Sequence, residues 1–279
     1  MCSLFGMAGP GIVGEDLQWL DDIMIVSCLR GIDSLGVLQG RFTKRHKRFD
    51  ILRYDENPLS ALEKSWVLRD GLFNGMQNNV FMGHTRSATI GDINENNIHP
   101  FKHGSIIGSH NGTIKSMKNS VGNGTDSDLL FSKISEHGYD YLSNLSDDDA
   151  YAITFVDSKT GDLNFVKNPA RGLFICINKK RRVIYWASEE GFLSLTLTRI
   201  GINHTEISKF DNWTLFTVTP EKIKSLTEAQ FTRTELSVLV EQEKEKEKKL
   251  KEKTRGKLIE IPGRTNANIQ SDVWPGLLN

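Results

Sequence analysis

Cysteine is scarce in this sequence: the three cysteines, Cys2, Cys28 and Cys176, lie far apart along 279 residues. Such scattered thiols exclude a disulfide framework and a cysteine-rich zinc site. Lysine plus arginine equals aspartate plus glutamate, 35 against 35, so no global field favours nucleic acid or a cationic partner. The sequence also lacks an apolar run of membrane-spanning length and a signal-peptide pattern. We therefore expect a cytoplasmic protein without a membrane or nucleic-acid partner.

The position of Cys2 is the most informative feature that is present. Methionine aminopeptidase removes Met1 when the second residue is small, so the mature chain is expected to begin with Cys2. That residue would then carry both a thiol and a free α-amine, which titrates near ~8 and can accept a proton at neutral pH. A nucleophile can be activated by its own N-terminal amine. The alternative interpretation is a small buried hydrophobe in a first strand.

Short runs rich in β-branched and aromatic residues, separated by turn residues, predict many short strands. In two other segments the apolar residues recur at the spacing of a helix. The predicted helices cover 16–29 and 126–137, and Thr125 or Asp126 is the expected N-cap of the second. The predicted strands lie at 3–8, from 35 onward, and at 79–84, 105–109, 151–156, 163–166, 173–177, 183–187 and 213–218. This pattern alone indicates an α+β fold.

Several short motifs follow Cys2 in a fixed order. They are Leu29–Gly36, Gly83–Gly91, His110–Ile114, Thr125–Asp128, and Arg171–Leu173 followed by Trp186–Glu189. In this order behind an N-terminal cysteine, they resemble class II glutamine amidotransferases, which are N-terminal-nucleophile (Ntn) hydrolases. The resemblance runs from Cys2 to about Leu195. It implies a four-layer αββα sandwich of antiparallel sheets.

The resemblance also implies roles for five residues. Cys2 would attack the side-chain amide carbon of L-glutamine, and its α-amine would carry the proton to the departing ammonia. The Asn111 side-chain N–H and the Gly112 backbone N–H would stabilise the oxyanion. Arg86 would bind the α-carboxylate of glutamine through paired hydrogen bonds, and Asp126 would bind its α-ammonium group. No metal and no cofactor is implied.

Alternatives stay open for the residues around this core. Without the other motifs, Arg86 would be interpreted as one partner of a salt bridge at a strand end, and Asp126 as a helix N-cap. Arg30 is expected to support the Cys2 terminus. His84 and His99 are expected to be hydrogen-bonded structural histidines, because the α-amine already supplies the base.

Two positions depart from the family pattern. Ser3 follows the cysteine where the family usually has glycine, and this difference is not expected to abolish activity. Ser87 stands where sugar-phosphate members of the family have tryptophan, which points away from that subgroup. The basic cluster Lys44–Arg48 lacks interleaved aromatic residues and is expected to be a solvated hairpin turn.

The composition changes toward the C-terminus. We predict an amidotransferase domain at 1–225 and an extension at 226–279. Within the extension, Glu241–Lys253 is almost entirely glutamate and lysine, which indicates a solvated helix, a disordered run or an arm that holds a partner. Trp274, Leu277 and Leu278 would either pack on the chain's own domain or dock on a partner.

Little sequence follows the motifs, and no nucleotide-binding or acceptor pattern is visible in it. The expected function is that of a free-standing glutaminase subunit, which hydrolyses L-glutamine and passes ammonia to a separate acceptor synthase. Two other classes remain open, an Ntn amidohydrolase for another small amide and a catalytically idle scaffold subunit. The sequence does not indicate an oligomeric state.

Overall fold

The structure is a computed structural model that describes residues 2–42, 47–64, 78–87, 95–120, 124–219, 222, 231–236, 245, 248–249 and 251–252. The chain divides into two compact units, Met1–Val240 and Glu241–Asn279. The predicted domain boundary at residue 225 stays a prediction.

Thirteen strands and four α-helices are described in the first unit. The strands are β1 Ser3–Ala8, β2 Ser34–Phe42, β3 Lys47–Tyr54, β4 Val80–Arg86, β5 Phe101–His103, β6 Ile106–Thr113, β7 Ala150–Asp157, β8 Leu163–Lys167, β9 Phe174–Asn178, β10 Val183–Ala187, β11 Ser208–Lys209, β12 Thr214–Val218 and β13 Thr232–Glu235. The helices are α1 Gly14–Ser27, α2 Pro58–Lys64, α3 Asp126–His137 and α4 Glu190–Ile200. Short 3₁₀ helices occupy Glu95–Asn97, Lys115–Ser120 and Tyr139–Asn144. None of the described helices is both long and apolar enough to cross a membrane.

The strands form two antiparallel sheets. The first sheet has seven strands in the order β11-β9-β10-β1-β4-β2-β3, and the second has six in the order β13-β12-β8-β7-β6-β5. Strand β1 is central in the first sheet, with β10 on one side and β4 on the other. Strand β6, which carries one of the sequence motifs, lies between β7 and the short edge strand β5.

Strand β1 shows how the layers pack, because successive side chains of a strand point to opposite faces. Phe5 and Met7 belong to a core with buried residues of α1 and α4. Leu4 and Ala8 belong to a second core, which contains residues of both sheets. This double burial explains why the strand is apolar along most of its length.

A third core lies on the other side of the second sheet. It joins Ile153 and Phe155 of β7 to Leu130, Phe131 and Ile134 of α3. The three cores are the three interfaces between four successive layers: helices, sheet, sheet and helices. The αββα sandwich of antiparallel sheets that the sequence predicted is therefore confirmed.

Most predicted elements lie within a few residues of their expected bounds. Helix α3 has the predicted bounds, and its N-cap is Thr125, whose hydroxyl accepts a hydrogen bond from the Asp128 backbone N–H at 3.2 Å. The first helix begins and ends two residues earlier than predicted. Six of the described α-helices and strands have no counterpart in the predictions: helices α2 and α4 and strands β3, β5, β11 and β13.

Some predicted features lie wholly or partly outside the described residues. Lys44–His46 of the basic cluster lies there, as do Met1 and the tail anchors Trp274, Leu277 and Leu278. In the second unit, Lys249 and Glu245 form an exposed ion pair at 2.8 Å, one helical turn apart. This contact is of the i, i+4 kind that the Glu/Lys run predicted.

A substitution of Phe165 would test the packing between the two sheets. Its ring is fully buried, with its centroid 5.0 Å from that of Trp186 and 4.9 Å from that of Phe210. We expect Phe165→Ala to lower the free energy of unfolding by roughly 3–5 kcal/mol, because it removes the ring and leaves a cavity. Thermal unfolding should show a melting temperature about 10 °C lower.

The control for this prediction is Leu195→Ala on α4, since Leu195 is 58% exposed. That variant should melt within about 2 °C of the parent protein. An equally small change in Phe165→Ala would contradict the inter-sheet core described above.

Candidate active site

Cys2 lies immediately before β1, at the end of the strand that is most completely enclosed. The register pairs Ser3 with Thr85 across β1 and β4, so the next positions along the two strands are Cys2 and Arg86. Cys2 itself is only partly buried. The fold therefore places the Cys2 thiol beside a cationic side chain, at the head of an enclosed strand.

The surroundings of Cys2 fix both its thiol and its main chain. The Ser87 backbone N–H donates a hydrogen bond to Cys2 Sγ at 3.4 Å. Arg30 Nε donates to the Cys2 carbonyl oxygen at 2.9 Å, and the Arg30 guanidinium also forms an ion pair with Glu189. Arg30 thus contacts the main chain of Cys2, and its supporting role there stays a prediction.

Opposing effects set the acidity of the Cys2 thiol. Burial raises its pKa above the ordinary value of a cysteine thiol, and this effect dominates. The hydrogen bond from Ser87 and the positive charges of Arg86 and Arg30 act in the opposite direction. At neutral pH the thiol is therefore mostly protonated, and attack on a substrate requires a group that accepts its proton.

Asn111 and Gly112 lie near the end of β6, in the second sheet. The Asn111 side chain is 3% exposed, and its Nδ2 donates to Ser188 Oγ at 3.3 Å. Gly112 has a φ of 154°, and a Cβ there would lie 1.8 Å from the Ala150 carbonyl oxygen. Glycine is required here because β7 is too close for any side chain. The close strand is distant in the sequence, so no local pattern predicts this requirement.

Ser188 was part of a sequence motif, but no role was assigned to it. It follows β10 and is 1% exposed. Its Oγ accepts hydrogen bonds from the Leu4 backbone N–H at 2.8 Å and from Asn111 Nδ2. The sequence gave no sign of these contacts, because Leu4 and Ser188 are 184 positions apart.

Arg86 ends β4 and is 4% exposed. Burial lowers the pKa of its guanidinium, whereas a Cys2 thiolate, when formed, and the carboxylates of Asp33 and Asp126 act to raise that pKa. Arg86 therefore lies close enough to Cys2 and to Asp126 for their charges to affect its pKa, and the substrate-binding role of Arg86 stays a prediction.

Asp126 begins α3, but Thr125 is the N-cap. The Asp126 carboxylate accepts hydrogen bonds from the backbone N–H groups of Ile114, at 2.6 Å, and Ser127, at 2.9 Å. It thereby ties the start of α3 to the residue that follows β6. Each carboxylate oxygen has two acceptor sites, so these bonds leave capacity for a further donor.

Three buried histidines lie behind these residues. The rings of His84 and His99 lie against each other, with centroids 4.0 Å apart and planes tilted by 41°. Neither ring has a hydrogen-bond partner of good geometry among the described residues, so the hydrogen bonds expected for this pair are absent there. His110 differs: its Nδ1 lies 2.9 Å from Ser127 Oγ, which joins β6 to α3.

Burial holds all three imidazoles neutral. It lowers the pKa of His84 to about 3, and it lowers those of His99 and His110 below the ordinary histidine value. A general base at neutral pH needs a pKa near the working pH, and burial shifts the pKa values of these histidines below that range. No group of three or more histidine, cysteine or acidic residues in the described part of the chain is arranged to hold a metal ion.

The site combines the Cys2 thiol, a primary amide beside a glycine backbone, and a buried arginine whose pKa the charge of a buried aspartate acts to raise. A thiol can attack a carbonyl carbon, and amide N–H groups can stabilise the resulting oxyanion. The arginine and the aspartate are suited to the carboxylate and the ammonium group of a free amino acid.

The comparisons with known proteins bear on the fold. No protein-family profile matches the chain, and no curated protein matches it in sequence. Among solved structures, it is similar to a glutamine phosphoribosylpyrophosphate amidotransferase from B. subtilis complexed with ADP and GMP, with a TM-score of 0.60 at 17% identity. A structure of the allosteric regulatory enzyme of purine biosynthesis gives the same values.

These matches cover 85% of this chain but 49% of each of those chains, so this chain spans about half their length. Identity is low, and the likeness shows the fold alone. Two antiparallel sheets between helices, in an Ntn-hydrolase-like sandwich, are common to this chain and its structural neighbours.

The buried histidines predict how the free energy of unfolding depends on pH. An unfolded histidine binds a proton near pH 6.5, whereas folded His84 does so only near pH 3. The unfolded chain therefore binds more protons between these values, and the free energy of unfolding falls as the pH drops below 6.5. We expect His84→Gln to reduce this fall between pH 7 and pH 5, as measured by chemical denaturation.

The absolute stability of that variant is not the readout, because the exchange also alters packing. His204→Gln, which removes an exposed histidine, is the control and should keep the parent slope of stability against pH. An unchanged slope in His84→Gln would show that His84 is not held neutral by the fold.

Proposed function

We propose that this chain is a glutaminase of the class II glutamine amidotransferase type. The observation that carries the proposal is the position of the Cys2 thiol, at the head of the central strand and beside Arg86. The Ntn-hydrolase-like fold supports it, because this fold presents its nucleophile at the start of such a strand. The motif order behind Cys2 supports it independently.

The proposed reaction begins once Met1 has been removed. The Cys2 α-amine takes the thiol proton as Sγ attacks the side-chain amide carbon of L-glutamine. The carbonyl oxygen becomes an oxyanion, which the Asn111 side-chain N–H and the Gly112 backbone N–H stabilise. The carbon–nitrogen bond then breaks, and the amine returns its proton to the departing ammonia. Water hydrolyses the γ-glutamyl thioester to glutamate and free thiol.

Arg86 and Asp126 account for the choice of substrate in this proposal. The guanidinium binds the α-carboxylate of glutamine, and the carboxylate binds the α-ammonium group. Both side chains are almost fully buried, so water screens little of the attraction between each of them and a ligand group of opposite charge. The pair therefore favours a free amino acid over a glutamine within a peptide. This argues against an Ntn amidohydrolase for another small amide.

We further propose that the ammonia passes to an acceptor synthase on a separate protein and that the chain acts in the cytoplasm. One of the structural neighbours is an amidotransferase of phosphoribosylpyrophosphate, but nothing in the described site indicates that acceptor here. Affinity capture of the full chain, followed by mass spectrometry, tests for the partner and reports whether Met1 has been removed.

The first test is glutamine hydrolysis by the purified chain. Wild-type protein should release ammonia from free L-glutamine, and Cys2→Ala should lose this activity because it lacks the nucleophile. A glutamine-like diazo-ketone should label Cys2 alone. Cys28 and Cys176 are buried, and burial raises their pKa values to about 11 and about 12.

Cys176→Ala is the matched control, since it removes a buried thiol from another strand of the same sheet. It should retain full turnover. Glutamine hydrolysis by the Cys2→Ala protein would refute the proposed mechanism, and so would full activity in protein whose intact mass shows retained Met1. Inert wild-type protein with an accessible Cys2 would favour the scaffold alternative.

Variants of the other site residues should separate chemistry from binding. We expect Asn111→Ala to lower kcat by roughly 10²–10³-fold with little change in KM, because an oxyanion donor acts in the transition state. Arg86→Ala should instead raise KM for glutamine at least tenfold, and Arg86→Lys should restore only part of the loss, because lysine lacks the planar fork.

Asn164→Ala is the control for Asn111, since Asn164 is also buried and lies in the same sheet, on β8. Its kcat should match that of the parent protein. An Arg86→Ala protein with unchanged KM for glutamine would show that the α-carboxylate binds elsewhere.

A further inference from the structure

The hydroxyl of Ser188 joins the two halves of the proposed site. Leu4 belongs to β1 in the seven-stranded sheet, whereas Asn111 belongs to β6 in the six-stranded sheet. Both donate to the same Ser188 Oγ, at 2.8 Å and 3.3 Å. One buried oxygen thus connects the strand that follows the nucleophile to the side chain proposed for the oxyanion.

The position of that oxygen is set by β1. The Ser188 backbone N–H donates to the Leu4 carbonyl oxygen at 2.8 Å, while the Leu4 N–H donates to Ser188 Oγ. These two bonds form a closed pair between the residues and leave Ser188 little freedom. The Asn111 amide is therefore hydrogen-bonded to an oxygen whose position is fixed relative to β1. Because Cys2 lies two residues before Leu4, that oxygen is also fixed relative to Cys2.

An asparagine amide needs such a partner, because rotation about its last side-chain bond has only broad preferences. A carboxamide has a donor end and an acceptor end, and only the nitrogen can stabilise an oxyanion. The bond to Ser188 uses one N–H of Asn111 Nδ2 and leaves the second N–H of that nitrogen for another acceptor.

We propose that Ser188 is a positioning residue, which orients the Asn111 amide so that its free N–H meets the developing oxyanion; this inference rests on the proposed glutaminase function. Ser188 does not touch the substrate. The competing interpretation is that Ser188 serves only to hold β1 and Cys2 in place. The two interpretations differ in what happens once Asn111 is removed.

The test compares Ser188→Ala in the parent chain and in an Asn111→Ala background. In the parent chain, kcat for glutamine should fall about tenfold, the effect of one hydrogen bond, with KM within twofold. In the Asn111→Ala background, the same change should lower kcat less than twofold, because the donor that Ser188 orients is gone.

A second readout isolates the nucleophile. Alkylation of the Cys2 thiol by iodoacetamide forms no oxyanion, so Ser188→Ala should leave its rate, followed by peptide mapping, within twofold of the parent. Ser109→Ala is the matched control. Ser109 is buried on β6, two residues before Asn111, and its hydroxyl has no hydrogen-bond partner among the described residues. Its kcat should be unchanged.

Additive losses in the two backgrounds would overturn the role of Ser188, and so would a fall in Cys2 alkylation that matches the fall in kcat. If Ser188→Ala does not fold, Ser188→Cys can replace it in the same comparison, since a thiol fills the position of the hydroxyl but accepts hydrogen bonds weakly. Wild-type protein that does not hydrolyse glutamine would overturn the proposed function and this inference with it. If the wild-type protein is active but the losses in kcat caused by Ser188→Ala and Asn111→Ala are additive, the inference alone would be overturned.

Discussion

The enclosure of β1 is the constraint on which the rest of the molecule depends. This strand has a hydrogen-bonded neighbour along each edge and a packed core on each face. A backbone held on four sides has almost no conformational freedom, so the residue at its head is placed by the whole fold. Cys2 gains a defined position in this way while its side chain stays partly accessible.

The second consequence of the architecture is that the site is divided between two sheets. The thiol and Arg86 belong to the first sheet, whereas Asn111 and Gly112 belong to the second. Their relative position is therefore set by the apolar core between the sheets, where side chains such as Phe165 and Trp186 interdigitate. Packing at that interface has to be accurate to a fraction of an ångström, because catalytic geometry tolerates little error.

How far the sequence could predict this arrangement depends on the range of each interaction. Strand alternation and helix capping are local, so β1 and α3 were predicted closely. The short motifs name Arg30, Arg86 and Asn111 as candidate site residues because each motif carries its own residue, and Cys2 is a candidate because of its position. The Ser188 contacts and the reason for glycine at 112 depend on strands distant in the sequence, and no local pattern reveals them. His84 and His99 show the same limit: the motifs predicted hydrogen-bonded structural histidines, but the contact between their two rings depends on the fold.

The pKa shifts of the Cys2 thiol and of the buried histidines favour a general base at the N-terminus. A thiol with a raised pKa is a poor nucleophile at neutral pH, because little of it is thiolate. The buried histidines are held neutral at pKa values too low to accept its proton efficiently. A free α-amine on Cys2 would titrate near ~8, close to the working pH, and it would be covalently attached to the nucleophile. Under the proposed mechanism, burial therefore keeps the thiol protonated until a bound substrate and the adjacent amine allow attack and proton transfer to occur together.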